Sequence, residues 1–148
     1  VYKRQVGGMG HASQIAAGLA LTKPNQKVIC IDGDGAFLMH TGAIAISAKI
    51  PNLIHIVINN GVHDSVGAQP TMASSLSLCS IAEGFKYRFV VKVSTIEDLK
   101  IKFEQALESN DNTFIEVICR SGARKDLGRP LTSPMQNKNA FLSGNLYG

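Results

Sequence analysis

Along the 148 residues, short runs of apolar and β-branched residues alternate with stretches whose apolar positions recur at helical spacing. Residues 10–22 (GHASQIAAGLALT) predict a helix of small residues, stopped by Lys23-Pro24-Asn25. Residues 27–31 (KVICI) predict a buried strand, followed by a Gly33-Asp34-Gly35 turn. Residues 37–49 predict a second helix, ended by Pro51-Asn52, and residues 53–58 (LIHIVI) the next strand. A polar, glycine-containing loop covers Asn59 to Thr71. Residues 75–84 predict a helix and residues 88–93 (RFVVKV) a strand. Residues 95–108 (TIEDLKIKFEQALE) form an amphipathic helical pattern. Thr95 is its N-cap, and Glu97 and Asp98 sit in the first turn, where the helix dipole favours negative charge. Residues 113–119 (TFIEVIC) predict a last strand, and the Gly/Pro/Asn-rich tail from Ser121 shows little periodicity.

Strand–helix alternation with short linkers predicts an α/β domain, a parallel sheet with helices on both faces. Residues 6–120 are assigned to that domain and 121–148 to a C-terminal tail. Ligands of such sheets bind at the carboxyl ends of the strands, near a switch in strand order. The loops after Ile31 and Ile58, and the glycine turn before the first helix, are therefore the places to look.

Composition narrows the class. With 45% hydrophobic and 18% charged residues the chain can fill a core, which excludes a disordered segment. No apolar run approaches the ~18 residues that span a bilayer, and no signal peptide is visible, so a cytoplasmic protein without membrane partners is expected. Fifteen Lys+Arg against eleven Asp+Glu leave a net charge of +4. The basic residues are scattered, without aromatic interleaving, so no nucleic-acid partner is expected. The clearest local excess, Arg120, Arg124, Lys125 and Arg129 around Asp126, suits a small anion at least as well as a polymer. Cys30, Cys79 and Cys119 are far apart and lack metal-ligand spacing, and are read as buried reduced thiols. The chain starts at Val1 rather than Met and reads as a fragment whose upstream part is missing.

The chemistry concentrates in two loops. Asp34 and Asn60 each follow a predicted strand, one strand–helix–strand unit apart. On neighbouring strands, a carboxylate oxygen and an amide oxygen would emerge at one sheet edge and could hold a hard cation. Mg²⁺ takes oxygen ligands and shares them with substrate phosphates. Gly33 and Gly35 would let a phosphate approach the backbone, and a helix starting near Phe37 would point its positive end at it. A diphosphate with its metal is the expected ligand. The plainer alternative is an Asp in a turn and two Asn capping a loop. Asp32, at the strand end, is read as structural.

GDG followed at this interval by Asn59-Asn60 resembles the signature of thiamine-diphosphate enzymes. The resemblance implies that Asp34, Asn60 and the carbonyl of Val62 hold Mg²⁺, with Gly33, Gly35 and Ala36 lining the cofactor. Gly7-Gly8-Met9-Gly10 is similar to the upstream Gly-x-hydrophobic-Gly turn of these enzymes. Met9 would be the wedge that bends the cofactor, and the Gly7 carbonyl the acceptor for its 4′-amino group. The alternative is a glycine-rich helix entry with Met9 filling the core.

The stretches GMGHAS, IDGDGAFLMHTGA, INNGVHDSVGAQPT and DLGRP together resemble the phosphonopyruvate decarboxylases, with the sulfopyruvate decarboxylases as close relatives. Where the family has a second Gly, this chain has Ala68. The resemblance implies decarboxylation of phosphonopyruvate to phosphonoacetaldehyde and CO₂ with thiamine diphosphate and Mg²⁺. His11 and His63 are candidates for substrate contact or proton transfer. Asp64, Ser65, Gln69 and Arg129 are candidates to line the substrate site; Arg129 could hold a phosphonate through its planar fork, or the tail could simply dock. His40 and His55 are read as structural. Glu83, Glu97, Glu104, Glu108 and Glu116 fall in regular elements read as distant from the cofactor loops. The carboxylate that activates the cofactor is therefore expected from a pyrimidine-binding domain absent from this chain, on the same enzyme or a partner subunit, in a homo- or hetero-oligomer. Alternatives are another 2-keto-acid decarboxylase and a non-catalytic cofactor-binding subunit.

Overall fold

A computed structural model describes residues 8–122, 126 and 131–146. Four strands form a fully parallel sheet: β1 (Val28–Gly33), β2 (Leu53–Asn59), β5 (Phe89–Val93) and β6 (Thr113–Ile118), in the order β1-β2-β6-β5. Register runs from Val28 opposite Leu53 to Gly33 opposite Ile58, and from Ile54 opposite Thr113 to Asn59 opposite Ile118. β1, β2 and β6 thus end at nearly the same level, and the loops that follow them share one rim.

Connection handedness decides the layers. The path β1→β2→β5 advances across the sheet, then β5→β6 steps back. Right-handed crossovers place the forward connections on one face and the returning one on the other. The forward face carries α1 (Ala12–Thr22), α2 (Asp34–Met39), α3 (Ile44–Ser47) and α4 (Leu78–Gly84); α5 (Ile96–Glu108) covers the opposite face. Strand alternation supplies both cores. Phe37, Ile44, Val57, Leu78, Tyr87 and Phe114 pack on the forward face, with Ala16, Ala17, Ala20, Cys30 and Leu53 under α1. Ile54, Ile56, Val93, Ala106 and Ile115 pack under α5. Beyond α5, Ile29 and Ile31 of edge strand β1 stay exposed.

Several boundaries differ from expectation, each for a local reason. The helix expected over residues 37–49 begins at Asp34 and breaks at His40 into α2, a 3₁₀ turn (Thr41–Ala43) and α3. There the Thr41 hydroxyl donates to the Phe37 and Leu38 carbonyls. Gly33-Asp34-Gly35 is therefore a strand end feeding straight into a helix, not a free turn. The loop Asn59–Thr71 contains a two-residue hairpin, β3 (Val62–His63) against β4 (Gln69–Pro70). The helix expected over 75–84 resolves into a 3₁₀ turn (Met72–Ser75) and α4. The aperiodic tail carries α6 (Pro134–Leu146), whose described side chains are mostly exposed. A helix that buries no apolar stripe leaves no hydrophobic periodicity in the sequence. The three cysteines are not uniformly buried: Cys30 is, Cys79 is half-buried, and Cys119 is exposed because β6 ends one residue earlier. Among the described residues no helix is long and apolar enough to cross a membrane.

Candidate functional site

Asp34 is the centre of the rim. It opens α2 directly after Gly33, whose backbone is extended (φ −92°, ψ 160°), and it is only 2% exposed. Its Oδ2 accepts hydrogen bonds from the Thr71 hydroxyl (2.5 Å) and the Gly61 N–H (3.2 Å). Both bonds fall on one oxygen, so the carboxylate is aimed while Oδ1 keeps its lone pairs.

Asn60 lies one residue past β2. Its Oδ1 accepts the Val62 N–H (3.1 Å), and its Nδ2 donates to Asp64 Oδ2 (2.7 Å). Asp64 also accepts the Gly122 N–H (2.9 Å), tying this loop to the segment after β6. In the hairpin, Thr71 N–H bonds the Gly61 carbonyl and Ala68 N–H the His63 carbonyl (2.9 Å each). Val62 and Pro70, between them, form the non-hydrogen-bonded pair, so the Val62 carbonyl points out of the ladder. Two adjacent loops thus offer a carboxylate, an amide oxygen and a backbone carbonyl that points out of the ladder. This all-oxygen donor set fits Mg²⁺.

The glycines around Asp34 serve different ends. A Cβ on Gly33 would meet nothing within 4 Å, which leaves room beside the backbone for a ligand such as a diphosphate. A Cβ on Gly35 would land inside the His63 imidazole. His63 therefore lies directly over the first turn of α2. Gly10 has φ +88°, and a Cβ there would come within 2.7 Å of the Ala36 carbonyl and strike the His40 ring. The upstream glycine turn is thereby pressed against α2. Met9 sits at its tip between Gly8 (φ 132°) and Gly10, partly exposed. His11 follows, its Nδ1 3.2 Å from the Gly8 carbonyl and its ring 4.2 Å from that of His40.

His40, expected to be structural, therefore stands with His11 at this rim. Ser65 is exposed in the hairpin loop, and the Gln69 amide packs on Gly67. Gly7 and Arg129 lie outside the described residues. Asp32 and His55 are buried behind the site. Asp32 Oδ2 stands 3.4 Å from His55 Nε2, and His55 Nδ1 3.3 Å from the Tyr87 hydroxyl. Burial, then the neighbouring Cys30 and Asp32, pushes the Tyr87 phenol up.

Two residues of this network carry no signal of their own. Thr71 lies within the INNGVHDSVGAQPT stretch but gains meaning only when the hairpin folds back on Asp34. Glu116 is not distant from the loops: it is 1% exposed, and its Oε1 accepts from Asn59 Nδ2 at 2.7 Å. Its Oε2 accepts from the Cys79 thiol (3.2 Å), which burial and then that bond push up to about 12. The Cys119 thiol, one residue past β6, is also raised, chiefly by partial desolvation and then by the Asp34 and Asp64 charges.

Residues 2–117 match the family described as thiamine pyrophosphate enzyme, C-terminal TPP binding domain. The chain is 38% identical to a phosphonopyruvate decarboxylase of Streptomyces viridochromogenes over 92% of its length and 34% of that protein's. It is 35% identical to the sulfopyruvate decarboxylase subunit beta of Methanothermobacter thermautotrophicus, over 79% of this chain and 61% of that one. The fold superposes on a thiamine diphosphate-dependent 4-hydroxybenzoylformate decarboxylase of Rhodococcus jostii RHA1 with a TM-score of 0.67 and 28% identity, covering 78% of this chain and 24% of that one. The chain thus spans about a third of the length of the phosphonopyruvate decarboxylases it matches. With a family match that covers residues 2–117, the chain belongs to the C-terminal TPP-binding domains of the thiamine pyrophosphate enzymes.

Proposed function

We propose that this chain is the diphosphate- and Mg²⁺-binding part of a thiamine-diphosphate-dependent decarboxylase that converts phosphonopyruvate to phosphonoacetaldehyde and CO₂. The observation that carries the reading is the buried Asp34 carboxylate, held through Oδ2 by Thr71 and Gly61 beside Asn60 and the outward Val62 carbonyl. Asp34 would supply the charge that binds the metal, and Asn60 and Val62 two neutral oxygens. Gly33 would leave the diphosphate its approach to the α2 entry. Thiamine diphosphate supplies, when bound, the electron sink that lets a 2-keto acid lose CO₂.

The chain's own groups do the rest. Met9, at the tip of the glycine turn, would shape the cofactor's reactive end. His63, over α2, and His11, beside His40, would hold or move a proton. Ser65, Gln69 and Arg129 would face the anionic substrate; Asp64, bonded to Asn60 and Gly122, would act through the shape of the loop. Glu116 is engaged by Asn59 and Cys79, so the carboxylate that activates the cofactor is assigned to a pyrimidine-binding partner, on the same enzyme or another subunit. Sulfopyruvate is the second candidate substrate. It places a sulfonate where phosphonopyruvate has a phosphonate, and the chain covers a larger share of a sulfopyruvate decarboxylase beta subunit.

The test uses the complete enzyme with thiamine diphosphate and each 2-keto acid, following CO₂ and the aldehyde product. Phosphonopyruvate is expected to turn over, with activity lost to EDTA and restored by Mg²⁺. Asp34→Ala should abolish Mg²⁺-dependent cofactor binding in calorimetric titration. Unchanged cofactor affinity in that variant refutes the metal assignment, and turnover of sulfopyruvate alone transfers the substrate assignment to the sulfonate.

A further inference from the structure

Glu116 poses an energetic question. A carboxylate at 1% exposure in the middle of β6 loses its hydration, and an apolar residue of similar size would pack against α4 without that cost. Its surroundings show where its bonds lead. Lys92 on the adjacent strand approaches Oε2 at 3.7 Å from the solvent side, and the Cys79 thiol donates to the same oxygen. Oε1 holds the Asn59 amide, 57 residues away in sequence. With its NH₂ group so held, Asn59 turns Oδ1 to the Gly61 N–H, at 3.2 Å. That same N–H is 3.2 Å from Asp34 Oδ2. An uninterrupted path of three hydrogen bonds runs from Glu116 through Asn59 and Gly61 to Asp34.

We propose that Glu116 is a positioning residue for the metal-binding loop: it locks the Asn59 amide, which aims the shared Gly61 N–H and thereby sets Asp34, Asn60 and Val62 relative to one another. The proposal rests on the assignment of those three residues as metal ligands. Partners that orient ligands in this way commonly govern metal affinity by 10- to 100-fold. Glutamine at this position would keep an oxygen for the Asn59 amide and turn its NH₂ to the Cys79 sulfur. Alanine would remove both bonds.

Mn²⁺ serves as the probe, its free concentration followed by electron paramagnetic resonance in the complete enzyme saturated with thiamine diphosphate. Glu116→Ala and Asn59→Ala are each expected to weaken Mn²⁺ about 10-fold or more. Glu116→Gln should stay within about threefold of wild type, and the Asn59→Ala/Glu116→Ala double variant should be no weaker than the worse single one, because both cut one path. A purely structural Glu116 would lower the melting temperature and leave the Mn²⁺ dissociation constant within about twofold, which overturns the proposal. Additive losses in the double variant overturn it as well. Should Glu116→Ala fail to fold, Glu116→Met removes the same two bonds while keeping the bulk of the side chain, and decides in its place. Absence of Mn²⁺ binding to the wild-type enzyme would instead refute the metal site itself.

Discussion

Ala68 follows Gly67 at the hairpin tip with φ 58°, in the left-handed region where a Cβ is strained. That conformation costs about 1 kcal/mol for a residue with a side chain, and glycine gives back part of it as unfolded-state entropy. Ala68→Gly should therefore stabilise the fold by about 0.5 kcal/mol in urea denaturation, without altering Mn²⁺ affinity. The departure from the family pattern is a small local strain at the hairpin tip, away from the proposed metal donors Asp34 and Asn60. The two glycines flanking Asp34 separate more sharply. Gly35→Ala must displace the His63 ring, because its methyl and the imidazole need the same space. Gly33→Ala meets no atom of the protein. In the complete enzyme, Gly35→Ala should lower kcat, since it displaces His63, the proposed proton carrier, whereas Gly33→Ala should keep the melting temperature and raise the dissociation constant for thiamine diphosphate. Equal thermal and kinetic behaviour of the two variants counts against both roles.

Among the elements, the helices close themselves with local chemistry. The Thr95 hydroxyl accepts the Asp98 N–H (3.1 Å) and donates to Asp98 Oδ2 (2.8 Å) at the start of α5. Thr95→Ala should cost about 1 kcal/mol. At the end of α4 the Tyr87 N–H returns to the Ala82 carbonyl and the Lys86 N–H to Glu83, a Schellman closure that puts Lys86 at φ 73°. Lys86→Gly should add up to about 1 kcal/mol, read as a rise in melting temperature. Thr95 was legible as a cap because it precedes the amphipathic run with Glu97 and Asp98 just behind it. The left-handed Lys86 was not, because no glycine marked the position. The break at His40 was hidden for a similar reason: Thr41 is compatible with a helix, and only its hydroxyl's bonds to Phe37 and Leu38 accompany the interruption.

Across the molecule, Asp32, His55 and Glu116 form a buried polar layer on the forward face beneath the rim. Cys79 joins it as a hydrogen-bond donor to Glu116, its thiol pushed from 9.0 to about 12 by burial and by that carboxylate. A group whose pKa rises on folding stabilises the native state below its unfolded pKa, and that contribution disappears as pH climbs through the folded value. Wild type should therefore lose stability between pH 9 and about 12 more steeply than Cys79→Ala. Paired chemical-denaturation series at several pH values measure the difference, and identical slopes would remove Cys79 from the layer. Thiol alkylation of the native protein should reach exposed Cys119 before buried Cys30.

Period and punctuation alone were enough to predict the four strands of the parallel sheet, the helices α1 and α5 and the rim that carries the loops. These depend on neighbours a few residues apart. Asp34, Asn60 and the glycine turns were legible because each motif compresses a backbone requirement and a donor atom into a few consecutive residues. The partners that aim those donors were not. Thr71 reaches Asp34 across 37 positions and Glu116 reaches Asn59 across 57, and both contacts exist only after β2 has paired with β6 and the hairpin has closed. His40 joins His11 only because Gly10 lets two chain segments touch. A one-dimensional pattern records which groups are present at each point of the chain. Which of them share a hydrogen bond is set by strand register and crossover geometry, and these assign one neighbour among many chemically equal choices.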